Sequence, residues 1–500
     1  MFMLDLRNFI WNPLKSDAWI ASLLTLVAGV IFYPFAAIGV DPHHDGIMLK
    51  PAMDVLSGQV LFRDTFSQYG PLTTYFQALA LAVSPTLYSL RILTVLAYAG
   101  SLGFLYLAWR AMLPRSLSLV ACLFFVVYAP FYHPDWPMLP WSSALALFFQ
   151  SWAVLSLMRI VAGRAHPVWA WGLGIACACT LWCRQPVGII LTASVGVIAI
   201  ALHVKGWRIP DGATGRVWGR VAAGFGVVTV LILGHLATHG AFGAWWEQNI
   251  LWPKRWAQHA DKFLFTWFAP RNLSLAPMLG LLGLFCAGFV PAIIRRAWSG
   301  LPRWADLVWL GVGVAAYFGF ARALVRPWLL LPEGGWNALI IGLIVLQALW
   351  VVVVRIDPAR TGERADGYLL AAMTGVALGS AAQIYPVPCG NHIYWALAPG
   401  LGLFVYLCWR WSRAEVWVCS LLVGLLLLPL GYDKFRWGQY TLGLPAITLE
   451  SPSVLRGMRT TPERGQALQR LDQVLQPLLA ANPAQPGMLY GDDALYLTWF

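Results

Sequence analysis

Two carboxylates and two imidazoles fall within the segment Asp41-Pro42-His43-His44-Asp45-Gly46, directly behind a long apolar run. Such a cluster can move a proton or hold a polar ligand, so each member is weighed first against a structural task. Asp41 has one. An Asp ahead of a Pro caps a helix, and the Pro takes its first position. Asp45 has no comparable task, since an acid in the first turn gains only ~0.3–1 kcal/mol from the helix dipole. Near a bilayer interface and shielded from water, its pKa is expected to rise towards a useful range. Asp45 is therefore the candidate for chemistry, with His44 beside it.

Other residues carry weaker signals. Arg184, in Trp182-Cys183-Arg184-Gln185-Pro186, offers planar, multidentate phosphate binding; the plainer reading is an Arg at a span end that snorkels. Arg322 and Arg326 lie near another span end on the same side, where orientation does not ask for positive charge. They share the phosphate or simply snorkel. His133-Pro134-Asp135, with a further ligand, is a candidate site for a divalent metal cation; no other cofactor is expected. A Pro-stiffened turn explains it as well, and metal sites are identified by several converging ligands. Arg63–Asp64 reads as a surface pair of little worth, and Tyr69-Gly70-Pro71 as a turn. There is no phosphate-cradling Gly loop, Cys/His zinc spacing or nucleophile elbow, which disfavours ATP-driven transport.

The elements that must position these residues follow from composition. Of 500 residues, 59% are hydrophobic and 11% charged, with a mean hydropathy of +0.65. A soluble domain carries roughly 25% charged residues, and a membrane β-barrel alternates apolar and polar rather than giving long apolar runs. The pattern predicts an all-α polytopic membrane protein of thirteen spans, near 18–40, 88–109, 116–130, 140–158, 168–182, 186–203, 219–239, 273–293, 305–323, 336–354, 366–384, 393–409 and 414–431. The apolar stretch Leu72–Val83 is too short to span and reads as interfacial or re-entrant. Pro42 to Gly58 reads as an amphipathic helix lying in the interface.

Alternate loops are all basic: Arg7 and Lys15, Arg110 and Arg115, Arg159 and Arg164, and so on to Arg410 and Arg413. The positive-inside rule makes that side cytoplasmic, with the N-terminus inside. The opposite side holds six of the nine His, and the chemistry is expected there. The net charge of +12 is thus a matter of topology; no basic–aromatic stripe suggests nucleic acid. Many of the 28 Trp sit at span ends as an interfacial belt, in contact with membrane lipids. Residues 1–431 are read as a transmembrane domain whose first extracytoplasmic loop is 41–71. Residues 432–500 are read as an extracytoplasmic tail. Thr461-Pro462-Glu463 opens a helix there, and Gly487–Gly491 starts a strand. The tail is expected to be a small, truncated α/β domain or one packed on the membrane region.

An Asp-Gly just after the first span, then an amphipathic helix, then Leu61-Phe62-Arg63-Asp64 and Gln68-Tyr69-Gly70-Pro71-Leu72, resembles the first periplasmic loop of GT-C superfamily glycosyltransferases of the protein mannosyltransferase and aminoarabinose transferase types. Many members carry Asp-Glu where this chain has His44-Asp45 or Asp45-Gly46. The resemblance implies a GT-C-like fold in a bacterial inner membrane, with two juxtamembrane helices in the first loop and an outer C-terminal domain. It implies inverting transfer from a polyprenyl-phosphate-linked sugar to a glycan, lipid or protein acceptor. Asp45 would act as base towards the acceptor. Arg184, Arg322 and Arg326 would hold the donor phosphate. His44, Asp64, Tyr69, Asn391 and His392 would surround the sugar or acceptor, and metal use varies among members. The rival readings are a transporter or flippase of lipid-linked saccharides and a polymerase or ligase that shares the donor. A transporter should place polar groups near the middle of its spans, whereas here they gather at one face.

Overall fold

The computed structural model describes residues 17–132, 137–163, 166–204, 206–208, 214–252, 364–381, 383, 390–412 and 416–481. Its helices are α1 Asp17–Ala36, α2 Pro42–Leu56, α3 Pro71–Val83, α4 Leu87–Trp109, α5 Arg115–Val127, α6 Ser142–Val161, α7 Pro167–Cys183, α8 Gln185–Val204, α9 Thr214–Thr238 and α10 Phe242–Trp246. A π-helical turn, Glu247–Leu251, continues α10. Then follow α11 Arg364–Ala381, α12 Gly390–Leu397, α13 Leu401–Ser412, α14 Val416–Gly443 and, in the tail, α15 Pro462–Ala481. Five of them, α1, α4, α6, α8 and α9, are long and apolar enough to cross a membrane.

Every expected span that falls within the described residues contains a helix; those at 273–293, 305–323 and 336–354 lie outside them, as do the expected spans' neighbours Arg322 and Arg326. Two differences have local causes. The expected span 393–409 is broken by a 3-10 turn, Ala398–Gly400. Pro399 cannot continue the i→i−4 ladder there, and the Trp109 indole N–H donates to Pro399 O at 3.2 Å. The last span does not stop at 431, because α14 runs on to Gly443.

The bundle is layered by burial. In the most apolar stretch of α6 83% of residues are buried, against 22% in α1 and 11% in α9. So α6 is central, while α1 and α9 expose apolar faces, with Leu26, Val30, Val230 and Leu231 outermost. In a bilayer those faces are suited to lipid. The centre is aromatic: Tyr98, Tyr106, Trp109, Phe124, Phe131 and Tyr394 are all buried.

The tail docks onto the start of the first loop. Strands β1 Ile447–Thr448 and β2 Arg459–Thr460 pair antiparallel. The N–H of Arg459 donates to Ala37 O and the N–H of Gly39 donates to Arg459 O, both at 2.7 Å. Arg464 donates to Val40 O at 3.1 Å, and Val40, Leu49, Leu81, Leu449, Leu455 and Leu468 form one buried cluster. Thr461 accepts from the N–H of Arg464, as its capping role requires. The expected strand at Gly487–Gly491 lies outside the described residues.

Candidate active site

Helix α2 is set by its first residue. The Asp41 carboxylate accepts the N–H groups of His43 and His44 at 3.1 and 2.9 Å, the expected cap. Its second oxygen accepts from His44 Nδ1 at 2.9 Å. Burial pushes the Asp41 carboxyl up, but the His44 imidazole and the two backbone N–H groups outweigh it and bring it to about 2. The Asp41 hydrogen bond raises His44, against partial burial.

Asp45 has a structural task that its sequence context did not reveal. One oxygen accepts the Asp41 N–H at 2.8 Å and the Arg91 guanidinium at 2.6 Å. Arg91 also donates to Ile38 O at 2.7 Å, so the pair ties both ends of the 38–45 corner to α4. Both side chains of the pair are 0% exposed. Burial pushes the Asp45 carboxyl above its ordinary value, with Arg91 pulling the other way. Asp45 therefore stands behind the helix as an anchor, with no atom at the surface to meet an acceptor. The residue missed was Arg91. It hides at the start of an apolar run, and the available signal was an unexplained charge inside a span, which calls for a partner.

Arg184 occupies the break between α7 and α8. Its backbone is extended, as is usual for the flanking residue that precedes a helix; Pro186 follows in the first turn of α8, where its missing N–H costs nothing. The side chain hydrogen-bonds Ser143 Oγ and lies 5.8 Å from the Trp395 ring centroid. Trp395 and Trp141 are 5.4 Å apart. His392 is 5.5 Å from Trp141 and 5.4 Å from Trp395, and His44 sits edge-on to Trp141 at 5.0 Å. One aromatic wall thus joins His44, His392 and Arg184 from three distant stretches. Asn391, which precedes His392 in the chain, is buried. The indole N–H of Trp141 and the hydroxyl of Ser142 are buried without a hydrogen-bond partner among the described residues, as is Asp45 Oδ1. No sequence signal beyond a Trp-Ser-Ser start of a span marked these two.

Tyr69 comes to the same end of the bundle. Burial pushes its phenol up, while the Arg184 charge works against that rise. Gly70 explains the approach. Its N–H donates to Cys183 O at 3.2 Å, and a Cβ there would lie 2.0 Å from Trp182 O. Thr73 Oγ1 donates to the same Cys183 carbonyl at 3.1 Å. A buried amide relay adds to this: Gln185 donates to Asn249 Oδ1 at 2.6 Å, and Asn249 to Ser67 O at 3.1 Å. Gln248 donates to Phe62 O at 2.9 Å, holding Phe62 at φ 70°, a conformation that costs a bulky residue about 1–3 kcal/mol.

Asp64 is not part of the wall. It accepts from Arg63 at 2.8 Å and from the Val60 N–H at 2.8 Å, closing its own turn beside the end of α9. His133, Asp135, Arg322 and Arg326 lie outside the described residues. Among the described residues no three His, Cys, Asp or Glu side chains converge to hold a metal ion.

No family model matches this chain, and no curated protein does. Two solved structures align with it at low identity. The oligosaccharyltransferase of Archaeoglobus fulgidus, tethered to an acceptor peptide, matches 85% of this chain at 11% identity and a TM-score of 0.44. ArnT of Cupriavidus metallidurans, bound to undecaprenyl phosphate, matches 86% at 15% identity and a TM-score of 0.36. The match covers 55% of the former and 78% of the latter. Both are GT-C glycosyltransferases, the group that the Asp41–Leu72 residues resemble. Likeness at this level says nothing of reaction or substrate.

Proposed function

We propose that this chain is a membrane glycosyltransferase that moves a sugar from a polyprenyl-phosphate-linked donor to a glycan, lipid or protein acceptor. The face bearing the first loop, extracytoplasmic by the charge of the loops, would carry the reaction. One observation supports this above the others: His44, Arg184 and His392, distant in sequence, meet on the wall of Trp141 and Trp395. A cationic fork beside aromatic faces suits an anionic lipid phosphate joined to a sugar. Arg184 would hold the phosphate, with the Ser143 hydroxyl fixing its fork. The leaving group is a weak base and needs little acid; the acceptor needs a base or an orienting group.

The transporter reading asks for polar groups deep within the spans. Arg91, the one fully buried arginine among the described residues, stands only one turn into α4 and is occupied by Asp45. Binding of undecaprenyl phosphate to the purified protein in detergent tests the proposal. Wild type should bind it, and Arg184→Lys should weaken binding roughly tenfold, since a charge-assisted hydrogen bond contributes about 1.5–3 kcal/mol and Lys lacks the planar fork. Unchanged affinity would return Arg184 to the role of a snorkelling span-end residue and remove the donor site.

A further inference from the structure

We propose that the proton of the acceptor is taken by His44, held by Asp41, and that Asp45 serves only to seat the helix that presents them. This rests on the transferase reading above and adds to it the identity of the base.

Three groups on α2 could take a proton, and geometry separates them. Asp45 is sealed and paired with Arg91. Asp41 is 31% exposed, but its carboxylate already accepts two backbone N–H groups and the His44 ring. A carboxylate so hydrogen-bonded is a poor base. The His44 side chain is 38% exposed and packs edge-on to Trp141 on the same wall as Arg184. Asp41 can only accept, so His44 Nδ1 carries the hydrogen of that contact. The lone pair is then on Nε2, which makes no hydrogen bond among the described residues. An imidazole oriented at Nδ1 by a carboxylate, with Nε2 open, is the arrangement of a general base whose cation is stabilised as it forms.

The step balances without a further reactant. Nε2 of His44 takes the acceptor O–H proton. The acceptor oxygen forms its bond to the anomeric carbon from the face opposite the phosphate. The bond between that carbon and the phosphate oxygen breaks, and its electron pair leaves with the polyprenyl phosphate, held at Arg184. The imidazolium then loses its proton to water. The products are the glycosylated acceptor, the polyprenyl phosphate and one proton.

Charges around His44 fix the sign of its pH dependence. Asp41 and Asp45 on its own helix raise it and burial lowers it, with a net rise. His43 lies edge-on at 4.9 Å. Across Trp141 stand His392 and, by way of Trp395, Arg184. Arg91 lies behind Asp45. The neutral, active form of His44 thus appears only above the ordinary histidine value of about 6.5.

Diethyl pyrocarbonate, which attacks neutral imidazole, reads this residue directly when modified peptides are weighed. In wild type the His44 modification rate should rise with pH through a midpoint above about 6.5, and undecaprenyl phosphate should slow it. Asp41→Asn should move the midpoint down, because the amide leaves the cap but removes the charge. In membranes supplied with undecaprenyl-phosphate-linked sugars, His44→Gln should lose about 10²-fold or more of transfer while still binding undecaprenyl phosphate, and the acidic limb of the Asp41→Asn rate profile should follow the His44 midpoint. A midpoint that Asp41→Asn leaves in place, or transfer retained by His44→Gln, overturns the base assignment alone. A midpoint that moves as expected without any slowing by undecaprenyl phosphate overturns the transferase reading and the proposal with it.

Discussion

The oxygen of Asp45 that meets Arg91 is where residue chemistry and folding are hardest to tell apart. A buried carboxylate beside a cluster of histidines has the sequence signature of a base, yet its neighbours use it to close a corner. Removing one member of a buried ion pair leaves the other charged and unpaired, at a cost of about 3–5 kcal/mol. Asp45→Asn is therefore expected to lower the melting temperature in detergent and the yield of folded protein, and to do so as strongly as Arg91→Met. A thermally silent Asp45→Asn would contradict the anchoring role. The Asp41–His44 pair behaves differently because it is partly exposed. His44 is raised on folding, so its contribution to stability is complete below about pH 6.5 and is lost as pH rises through the raised value. Asp41 is lowered to about 2, so its share is present above about pH 4 and is lost only as pH falls towards that value. The melting temperature of His44→Gln should therefore trail that of wild type by more at about pH 5.5 than at about pH 8.5. At this scale the sequence was half legible. The cap of Asp41 and the unusual standing of residues 41–45 could be read from spacing. Arg91 could not, because partners 46 positions apart leave no periodic trace.

Helices were the most legible elements, since an apolar run of the right length has few alternatives in lipid. Their breaks were less so. The junction at Arg184 was visible through Pro186, but its depth of contact with the first loop was not. Gly70 reads from sequence as part of a turn, and its physical reason is instead the Trp182 carbonyl that leaves no space for a Cβ. Gly70→Ala must push backbone from backbone, so it should cost at least the 1–3 kcal/mol of an overpacked site. It should also weaken undecaprenyl phosphate binding although Gly70 offers no group to a ligand. Normal stability and normal binding in that variant would show that the loop and the α7–α8 junction are not seated on one another. The break at Ala398–Gly400 belongs to the same class: Pro399 announced it, and the Trp109 indole that completes it came from a helix 290 positions away.

On the scale of the whole molecule, the basic loops ordered the spans and suggested which face carries the site. They could not foresee that the tail would reach back to the opposite end of the described chain. Arg459 exchanges backbone hydrogen bonds with Ala37 and Gly39, and Arg464 reaches Val40, so the tail grips the few residues that separate α1 from α2. Composition marked the tail as too small for a core of its own, and packing against Leu49, Leu81 and Leu87 supplies what it lacks. Deleting the chain from Ile447 onwards should raise amide exchange across 37–58 while leaving α6 and α7 protected. Equal protection of 37–58 with and without the tail would show that α2 needs no grip from it.

The hydrogen bond from Gly70 to Cys183 has a kinetic consequence. Tyr69 and Arg184 are each one residue from it, and the amide relay from Gln185 to Ser67 runs parallel to it. The loop carrying Tyr69, expected to meet the sugar or acceptor, and the junction carrying Arg184, proposed for the donor phosphate, are therefore one mechanical part. A substitution that loosens this joint, such as Asn249→Ala, should raise the KM of both substrates together, and tighter binding of either substrate should favour the other. Neither affinity could then be tuned alone except by residues remote from the joint, on the far side of the aromatic wall.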